Sequence, residues 1–302
     1  MTGVFVLRRL AHAVVLLLLV STLSFVLLEV APGDFLDEAR MNPRMGPGTL
    51  AALRDRYGLS QPMPVRYLRW MSAVARGDFG VSFAYNMPVT TLVLPRARKT
   101  LTITVTALAI AWIVALPLGI WCASSKARWL DSLFAVGTSS LITVPDLLFT
   151  FVMLFIAVRC GLWKEGSMVL PAAVLSALAM PPLLRHVRAA MLDAARQPFV
   201  RAARAHGIAG VRLWVRQVLP AAANPLVSLL GLSMGTLLSS SLVVEAITGY
   251  PGLGPLFLDA VAARDFYLVL GPVMLSAAFL VGASLIADLL LYAVDPRIRE
   301  PR

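Results

Sequence analysis

The sequence predicts an all-α integral membrane protein with six transmembrane helices and a small, mostly helical external insertion between spans 1 and 2. Of its 302 residues, 59% are hydrophobic and only 14% are charged. The mean hydropathy is +0.80, which places the chain in the multi-span membrane class rather than among soluble domains. Six apolar runs are each long enough to cross a hydrocarbon core of about 30 Å as a helix.

The first apolar run covers residues 10–30 and follows Arg8 and Arg9. A secretory signal peptide begins similarly, but its apolar part is only about 7–15 residues long and ends in a small-residue cleavage site. This run is longer and ends in Glu29 and Ala-Pro-Gly-Asp, so we interpret it as a retained span. Five further spans are expected at residues 101–123, 132–158, 168–185, 226–247 and 269–292.

The segment between the first two spans, residues 33–98, is polar and rich in helical patterns. Two apolar patterns of helical period cover residues 47–58 and 64–77, and each ends in a glycine. Glycine just past the last helical residue is the usual left-handed cap. The segment is too helical and too aromatic for a disordered linker, so we expect a small external subdomain.

Basic residues set the expected orientation. Seven arginines lie between Arg185 and Arg216, whereas the two short loops on the opposite side carry only Arg159, Lys164 and Arg264. Short basic loops are retained in the cytoplasm. We therefore expect both termini to be cytoplasmic. The expected parts are residues 1–32 (N-terminus and first span), 33–98 (external insertion), 99–294 (five-helix core with a cytoplasmic loop at 186–225) and 295–302 (cytoplasmic tail).

The most informative feature of the cytoplasmic loop is the sequence Phe-Val-Arg-Ala-Ala-Arg-Ala-His-Gly at 199–207. Alanines and a glycine permit close approach, and guanidinium groups pair with acidic rims, so this tip is suited to a groove on another protein. Further along, Val211, Trp214, Val215 and Val218 follow a helical period. That pattern predicts a helix with one apolar face, lying either on lipid or on the helix bundle.

Several stretches together resemble the dipeptide/oligopeptide/nickel family of bacterial ABC importer permeases. They are RYLRWMSAVARGDFGVSF (66–83), ARKTLTITVTALAIAWIVALPLGIWCA (97–123), EAITGYPGLG (245–254), ARDF (263–266) and DPRIR (295–299). The residues PGD at 32–34, followed by a large insertion, are similar to the first of the family's two permease types. Two departures are present: Arg201 stands where the general importer pattern has Glu, and Thr-Val-Pro-Asp-Leu at 143–147 replaces Ser-X-Pro-X-aromatic.

The resemblance implies a transport subunit rather than an enzyme. It would move peptides or a related small solute, such as nickel, into the cytoplasm by alternating access. It implies a coupling helix that docks into a cytoplasmic ATPase and comprises Phe199, Val200, Arg201, Ala202, Ala203, Arg204, Ala205, His206 and Gly207. The implied partners are two ATPase subunits, a second permease subunit in a heterodimer and an external substrate-binding protein. No G-x-x-x-x-G-K-[ST] motif occurs in the chain, so ATP and Mg²⁺ are expected on the partners.

Two carboxylates within the spans are candidates for the translocation pathway, because buried ionisable residues are costly in membranes. Asp146 follows Pro145 in the third span. It either lines the path, or it snorkels or hydrogen-bonds to a neighbouring helix. Glu245 ends the fifth span and is either a gate or turn residue, or an interfacial carboxylate. In the GYPGLG sequence after it, Gly252 and Gly254 are expected to form a turn. His12, His186 and His206 are scattered, so no metal site is expected.

Two other classes of membrane protein fit the sequence less well. A stand-alone, gradient-driven secondary carrier would be expected to have internal repeats, which are not apparent, and it has no use for the tip at 199–207. A membrane-embedded hydrolase needs a base near its nucleophile, and Ser239–Ser241 have none in sequence. The basic residues behind the net charge of +11 lie in the loops that flank the spans, and no nucleic-acid-binding module is present in the sequence. We therefore expect the chain to contact the lipid bilayer and not nucleic acid.

Overall fold

The structure is a computed structural model that describes residues 2–31, 61–125 and 127–294. The expected helical pattern at 47–58, the PGD sequence at 32–34 and the tail at 295–302 lie outside the described residues. In chain order the elements are α1 (Thr2–Val30), α2 (Met63–Val74), β1 (Val81–Ser82), β2 (Met87–Pro88), α3 (Val89–Ser124), α4 (Arg128–Thr143), α5 (Asp146–Arg159), α6 (Val169–Ala195), α7 (Pro198–Ala205), α8 (Gly210–Leu213), a π-helix (Trp214–Val218), α9 (Leu219–Ala221), α10 (Ala223–Thr248), α11 (Leu253–Ala262) and α12 (Phe266–Val294).

Five of these helices, α1, α3, α6, α10 and α12, are long and apolar enough to cross a membrane, and the α4–α5 pair supplies a sixth span if it is counted as one. Large apolar side chains such as Ile113 and Leu232 are exposed along them. Lipid-facing helices require such surfaces, because hydrocarbon tails rather than water surround them. The prediction of an all-α protein with six spans is confirmed at this level.

The third expected span, residues 132–158, is divided into two helices. Helices α4 and α5 meet at an angle of 96°. The cause is local: Pro145 has no N–H to continue the helix, and its ring pushes the preceding residue out of helical geometry. Val144 accordingly has the extended angles φ −74° and ψ 123°.

Other boundaries differ from the expected ones. Helix α3 begins at Val89 rather than at 101, and α6 continues to Ala195 instead of ending at 185. The GYPGLG sequence opens α11, which the turn interpretation missed. Only Gly249 in this sequence has a positive φ, at 72°, because it caps α10, whereas Gly254 lies inside α11.

The chain divides into two compact units. One contains Leu101–Tyr250 and Leu280–Arg302, together with Met1–Val6. Its described core is aliphatic and includes Val174, Leu175 and Met191, which are fully buried. Alanines and glycines permit close helix contacts there, since a Cβ placed on Gly119 of α3 would lie 2.5 Å from Cγ1 of Val187 on α6.

The other unit contains Leu7–Thr100 and Pro251–Phe279. Its described core is aromatic, with Phe25 and Trp70 buried beside Leu270. The described part of the insertion, residues 61–88, contributes α2 and an antiparallel β1–β2 hairpin that pairs Val81 with Pro88 and Ser82 with Met87. Gly77 follows α2 with φ +84°, in the left-handed conformation that its position predicted.

Candidate functional site

The predicted coupling segment forms a short helix with a defined start and end. Helix α7 spans Pro198–Ala205 and has proline in its first turn, where the missing N–H breaks no intrahelical bond. Beyond its C-terminus, Gly207 N donates to the Arg204 carbonyl (3.0 Å) and Ile208 N donates to the Ala203 carbonyl (3.1 Å). With Gly207 at φ +84°, these two bonds form a Schellman cap.

One side of α7 is packed and the other is exposed. Val200 is fully buried, and Ala203 and Ile208 pack against the same core cluster. The remaining side chains of the helix that were predicted to meet a partner are exposed; these are Phe199, Arg201, Ala202, Arg204 and Ala205. The chain therefore holds the helix through Val200 and leaves Phe199 and the small and cationic side chains exposed.

His206 and Gly207 complete this tip. Nδ1 of His206 lies 2.8 Å from the Ala202 carbonyl, so the imidazole is held by a local hydrogen bond. Nothing lies within 4 Å of a Cβ placed on Gly207. Within this chain, glycine at 207 thus serves the left-handed backbone of the cap and not a close contact.

The apolar face predicted beyond α7 is divided in the structure, with Trp214 and Val218 in the core cluster. Val211 and Val215 are 79% and 48% exposed, whereas Leu213 and Val218 are buried. The reason is the π-helical turn at Trp214–Val218, whose wider winding shifts the residues that share a face. Pro220 follows this turn, and its missing N–H removes a bond that would keep the helix in α geometry.

Asp146 is placed at the break of the third span. It is the first residue of α5 and its side chain is exposed in the isolated chain. The hydroxyl of Ser240 on α10 donates to its Oδ2 at 2.6 Å. Sequence reasoning anticipated a partner on another helix but did not identify Ser240, which stands in a run of three serines within an apolar span.

A second polar contact lies on the other half of the broken span. Nη2 of Arg185 on α6 donates to Oγ of Ser139 on α4 at 3.1 Å. Arg188, one helical turn further along α6, lies over the Phe134 ring at 5.6 Å. Arginines of α6 thus contact α4, while a serine of α10 contacts α5.

Glu245 is fully buried near the end of α10, so it is not an exposed interfacial carboxylate in this conformation. Its backbone carbonyl accepts a bond from Tyr250 N at 3.0 Å, which closes the helix beyond Gly249. Burial raises the pKa of the Tyr250 hydroxyl, and the nearby Glu245 carboxylate raises it further. The structure therefore places Glu245 within a packed turn.

The three histidines are not brought together with carboxylates or thiols. Within residues 2–31, 61–125 and 127–294, no group of three or more His, Cys, Asp or Glu side chains is arranged to hold a metal ion. His186 and His206 each contact a carbonyl of their own helical segment.

Comparison with known proteins assigns the family. The model of the "Binding-protein-dependent transport system inner membrane component" family matches residues 115–300, and the N-terminal model of the same transport systems matches residues 2–104. The chain is 31% identical to the oligopeptide transport system permease protein AppB of Bacillus subtilis (strain 168), over 97% of this chain and 98% of that one. It is 30% identical to the glutathione transport system permease protein GsiC of Salmonella paratyphi A (strain ATCC 9150 / SARB42), over 98% of both chains.

The fold is similar to that of a subunit in an inward-facing structure of the MetNI methionine ABC transporter. The TM-score is 0.59 at 19% identity, and the similarity covers 68% of this chain and 96% of that one. The chain therefore belongs to the binding-protein-dependent transport system inner membrane component family, as a multi-pass permease subunit of an ABC importer.

Proposed function

We propose that this permease subunit moves di- or oligopeptides, or a related small solute, into the cytoplasm by alternating access. The names of its relatives support this cargo class, because AppB is named for oligopeptides and GsiC for glutathione, itself a tripeptide. The observation that carries the mechanism is the geometry of α7, a helix held by buried Val200 with its small and cationic side chains exposed.

In this proposal the coupling helix, residues 199–207, docks into a groove on a cytoplasmic ATPase. The exposed Ala202 and Ala205 permit backbone approach, and Arg201 and Arg204 supply positive charge for an acidic rim. The Schellman cap at Gly207 ends the helix abruptly, so the tip is a compact knob. ATP and Mg²⁺ bind to two ATPase subunits and not to this chain.

Asp146 is proposed to line the translocation pathway at the break of the third span. An ionisable side chain in a membrane helix normally faces a partner or a water-filled cavity. Ser240 supplies one hydrogen bond, but a hydroxyl is neutral and leaves the carboxylate charge available to a cargo ammonium group. Glu245 remains a candidate gate residue, and for that role its carboxylate would have to leave the packed turn that it occupies.

The proposed assembly is a heterodimer of two permease subunits with two ATPases and an external binding protein. The distribution of arginines supports cytoplasmic termini and a cytoplasmic 186–225 loop, with residues 33–98 on the external side. The proposed organisation is completed by an N-terminal part with the first span (1–32), the five-helix core (99–294) and a cytoplasmic tail (295–302). An external insertion gives the binding protein a surface beyond the lipid.

The test is reconstitution in liposomes with a second permease, two ATPases and a binding protein from the same organism. We expect uptake of a labelled dipeptide mixture that depends on ATP and on the binding protein. The matched control is the permease subunit alone under a proton gradient, which should take up nothing. Gradient-driven uptake by the chain alone would contradict the proposal and support a secondary carrier.

A further inference from the structure

Three consecutive residues at the start of the last span each contact a different part of the insertion. We name Asp265, Phe266 and Tyr267 the insertion clasp. The sequence motifs at 66–83 and 263–266 lie far apart in the chain, and the structure brings them together in one unit. No role for either motif follows from the coupling or pathway proposals above.

Asp265 is the polar centre of the clasp and is fully buried. Its Oδ2 accepts the hydroxyl of Ser82 at 2.6 Å and the N–H of Ala84 at 2.9 Å. Its Oδ1 accepts the N–H of Leu268 in the first turn of α12 at 3.2 Å. One carboxylate therefore joins the hairpin to the N-terminus of the last span, and charge-assisted bonds of this kind are among the strong ones.

Phe266 receives α2. The guanidinium of Arg66 lies 5.3 Å from the centroid of its ring, and Phe25 of α1 meets the same ring edge-on at 4.8 Å. Nη1 of Arg66, a residue only 8% exposed, also donates to both carboxylate oxygens of Glu29 on α1, at 2.8 and 3.0 Å. Helix α2 is thus fixed to both the first and the last span.

Tyr267 packs against the turn that precedes the hairpin. A Cβ placed on Gly80 would lie 3.1 Å from Cγ of Tyr267, and Gly80 has φ +93°. Phe83 meets the Tyr267 ring at 5.5 Å in an edge-on geometry. Only glycine combines this backbone conformation with so close a contact, so the insertion is fitted directly to the helix start.

We propose that the insertion clasp makes the described insertion and α12 move as one body, so that a protein docked on the insertion biases the position of the last span. This inference rests on the proposed function, which supplies the binding protein as the docked partner. Docking shifts a conformational equilibrium only if the partner has different affinities for the two states. The clasp supplies that difference for a binding protein that also contacts the second permease subunit, because the separation of the two docking surfaces changes when the insertion moves with α12.

The experiment uses the reconstituted transporter with Asp265→Asn, and with Asp259→Asn as the matched control. Asp259 lies in α11, is exposed, and undergoes the same change of acid to amide. The first measurement is ATP hydrolysis with and without the binding protein loaded with a dipeptide mixture. The second is the mobility of a nitroxide at Tyr85→Cys in the hairpin, in a Cys122→Ser, Cys160→Ser background.

For Asp265→Asn we expect unchanged basal hydrolysis, a more mobile hairpin label, and a fall of about tenfold in stimulation by the binding protein, within the range of about 5- to 150-fold that coupling between sites commonly spans. Ser82→Ala removes one of the three bonds to Asp265, so it should lower stimulation by the binding protein by less than Asp265→Asn does. It also removes the bond that Tyr85 N donates to the Ser82 hydroxyl, so stimulation is the readout that is compared for this variant. That milder variant decides the question if Asp265→Asn fails to assemble.

A mobile hairpin label with wild-type stimulation would overturn the proposal, because the link would then be broken without consequence. A label that stays immobile in Asp265→Asn would overturn it as well, since the carboxylate would not hold the hairpin. If the binding protein does not stimulate ATP hydrolysis in the wild type or in Asp259→Asn, the proposed function is contradicted. The role assigned to the clasp is then contradicted as well.

Discussion

The hydroxyl of Ser240 on α10 donates a 2.6 Å hydrogen bond to the carboxylate of Asp146, the first residue of α5. This bond joins the fifth span to the third at the point where the third span is broken. The N-terminus of α5 also favours a negative charge, because the helix dipole is positive there. The Asp146 side chain thus accepts a hydrogen bond from a neutral donor at a helix N-terminus and stays exposed.

Replacing Asp146 with Asn should change cargo preference. The amide keeps the size of the side chain but loses the charge that would attract a cargo ammonium group. We expect uptake of dipeptides with a free N-terminus to fall about tenfold, as for the loss of a charge-assisted bond, and uptake of N-acetylated dipeptides to change little. Competition between the two in proteoliposomes measures this, and equal effects on both would argue against a pathway role.

Replacing Ser240 with Ala separates the structural bond from the charge. The Asp146 carboxylate would lose its donor but keep its charge. We therefore expect a modest loss of stability, about 1 kcal/mol, with the preference for a free N-terminus retained. Thermal unfolding in detergent gives the first quantity and the same competition experiment gives the second. Loss of the preference in Ser240→Ala would mean that orientation of the carboxylate, not its charge alone, selects the cargo.

Substitutions at Gly207 should distinguish the cap from the docking surface. The residue has φ +84° with open space around it, so Gly207→Asn should be tolerated, since Asn adopts the left-handed conformation more readily than other residues. Gly207→Val should weaken the cap by about 1–2 kcal/mol and reduce ATP-dependent uptake. Uptake and stimulated hydrolysis in the two variants provide the comparison. Equal loss in both would indicate that the partner, and not the backbone, requires glycine.

Reversing the charge of Arg204 should uncouple transport without unfolding the protein. Arg204 is exposed in the last turn of α7, so Arg204→Glu removes no packed side chain. We expect normal membrane levels and a loss of ATP-dependent uptake, because a negative charge would face the proposed acidic rim. Arg196→Glu is the control, since Arg196 is exposed just before α7 and has only a 3.9 Å surface pair with Asp193. Normal uptake in Arg204→Glu would contradict the assignment.

Two glycines in the spans provide a matched test of helix packing. A Cβ on Gly119 would lie 2.5 Å from Val187, whereas nothing lies within 4 Å of one on Gly137 of α4. Gly119→Ala should therefore destabilise the protein by about 1–3 kcal/mol through overpacking. Gly137→Ala should be neutral or slightly stabilising, because alanine is the better helix former. Thermal unfolding measures the stability of both variants. Equal changes in stability for Gly119→Ala and Gly137→Ala would contradict the described α3–α6 contact.

Much of the fold could be predicted from local patterns. The long apolar runs indicated the spans, because length and hydropathy alone decide whether a helix can cross a bilayer. The alanines and arginines before Gly207 indicated a protruding helix, and the structure has α7 ending at Ala205; that Gly207 caps this helix follows from the structure alone. Asp146 was identified as a polar residue in a span, with a neighbouring helix as one of its two expected environments.

The remaining features could not be predicted because they depend on residues distant in sequence. Ser240 is one hydroxyl in a run of three, and only the packing of α10 on α5 selects it as the partner of Asp146. The π-helical turn at Trp214–Val218 shifted an apolar face that a regular period placed elsewhere. The predicted turn at Gly252 and Gly254 proved to be the start of α11, since α10 already ends at Thr248 and Gly249 caps it.

By itself the sequence determined that the chain resides in a membrane, how many spans it has and where a short segment of small and basic residues lies between two spans, since these follow from hydropathy and charge along the chain. Only the tertiary structure decided which polar groups meet. Asp265 and Ser82 are separated by more than 180 positions and become one buried contact. The physical reason is that a buried carboxylate must find donors wherever the fold supplies them, and nothing in its local sequence names those donors.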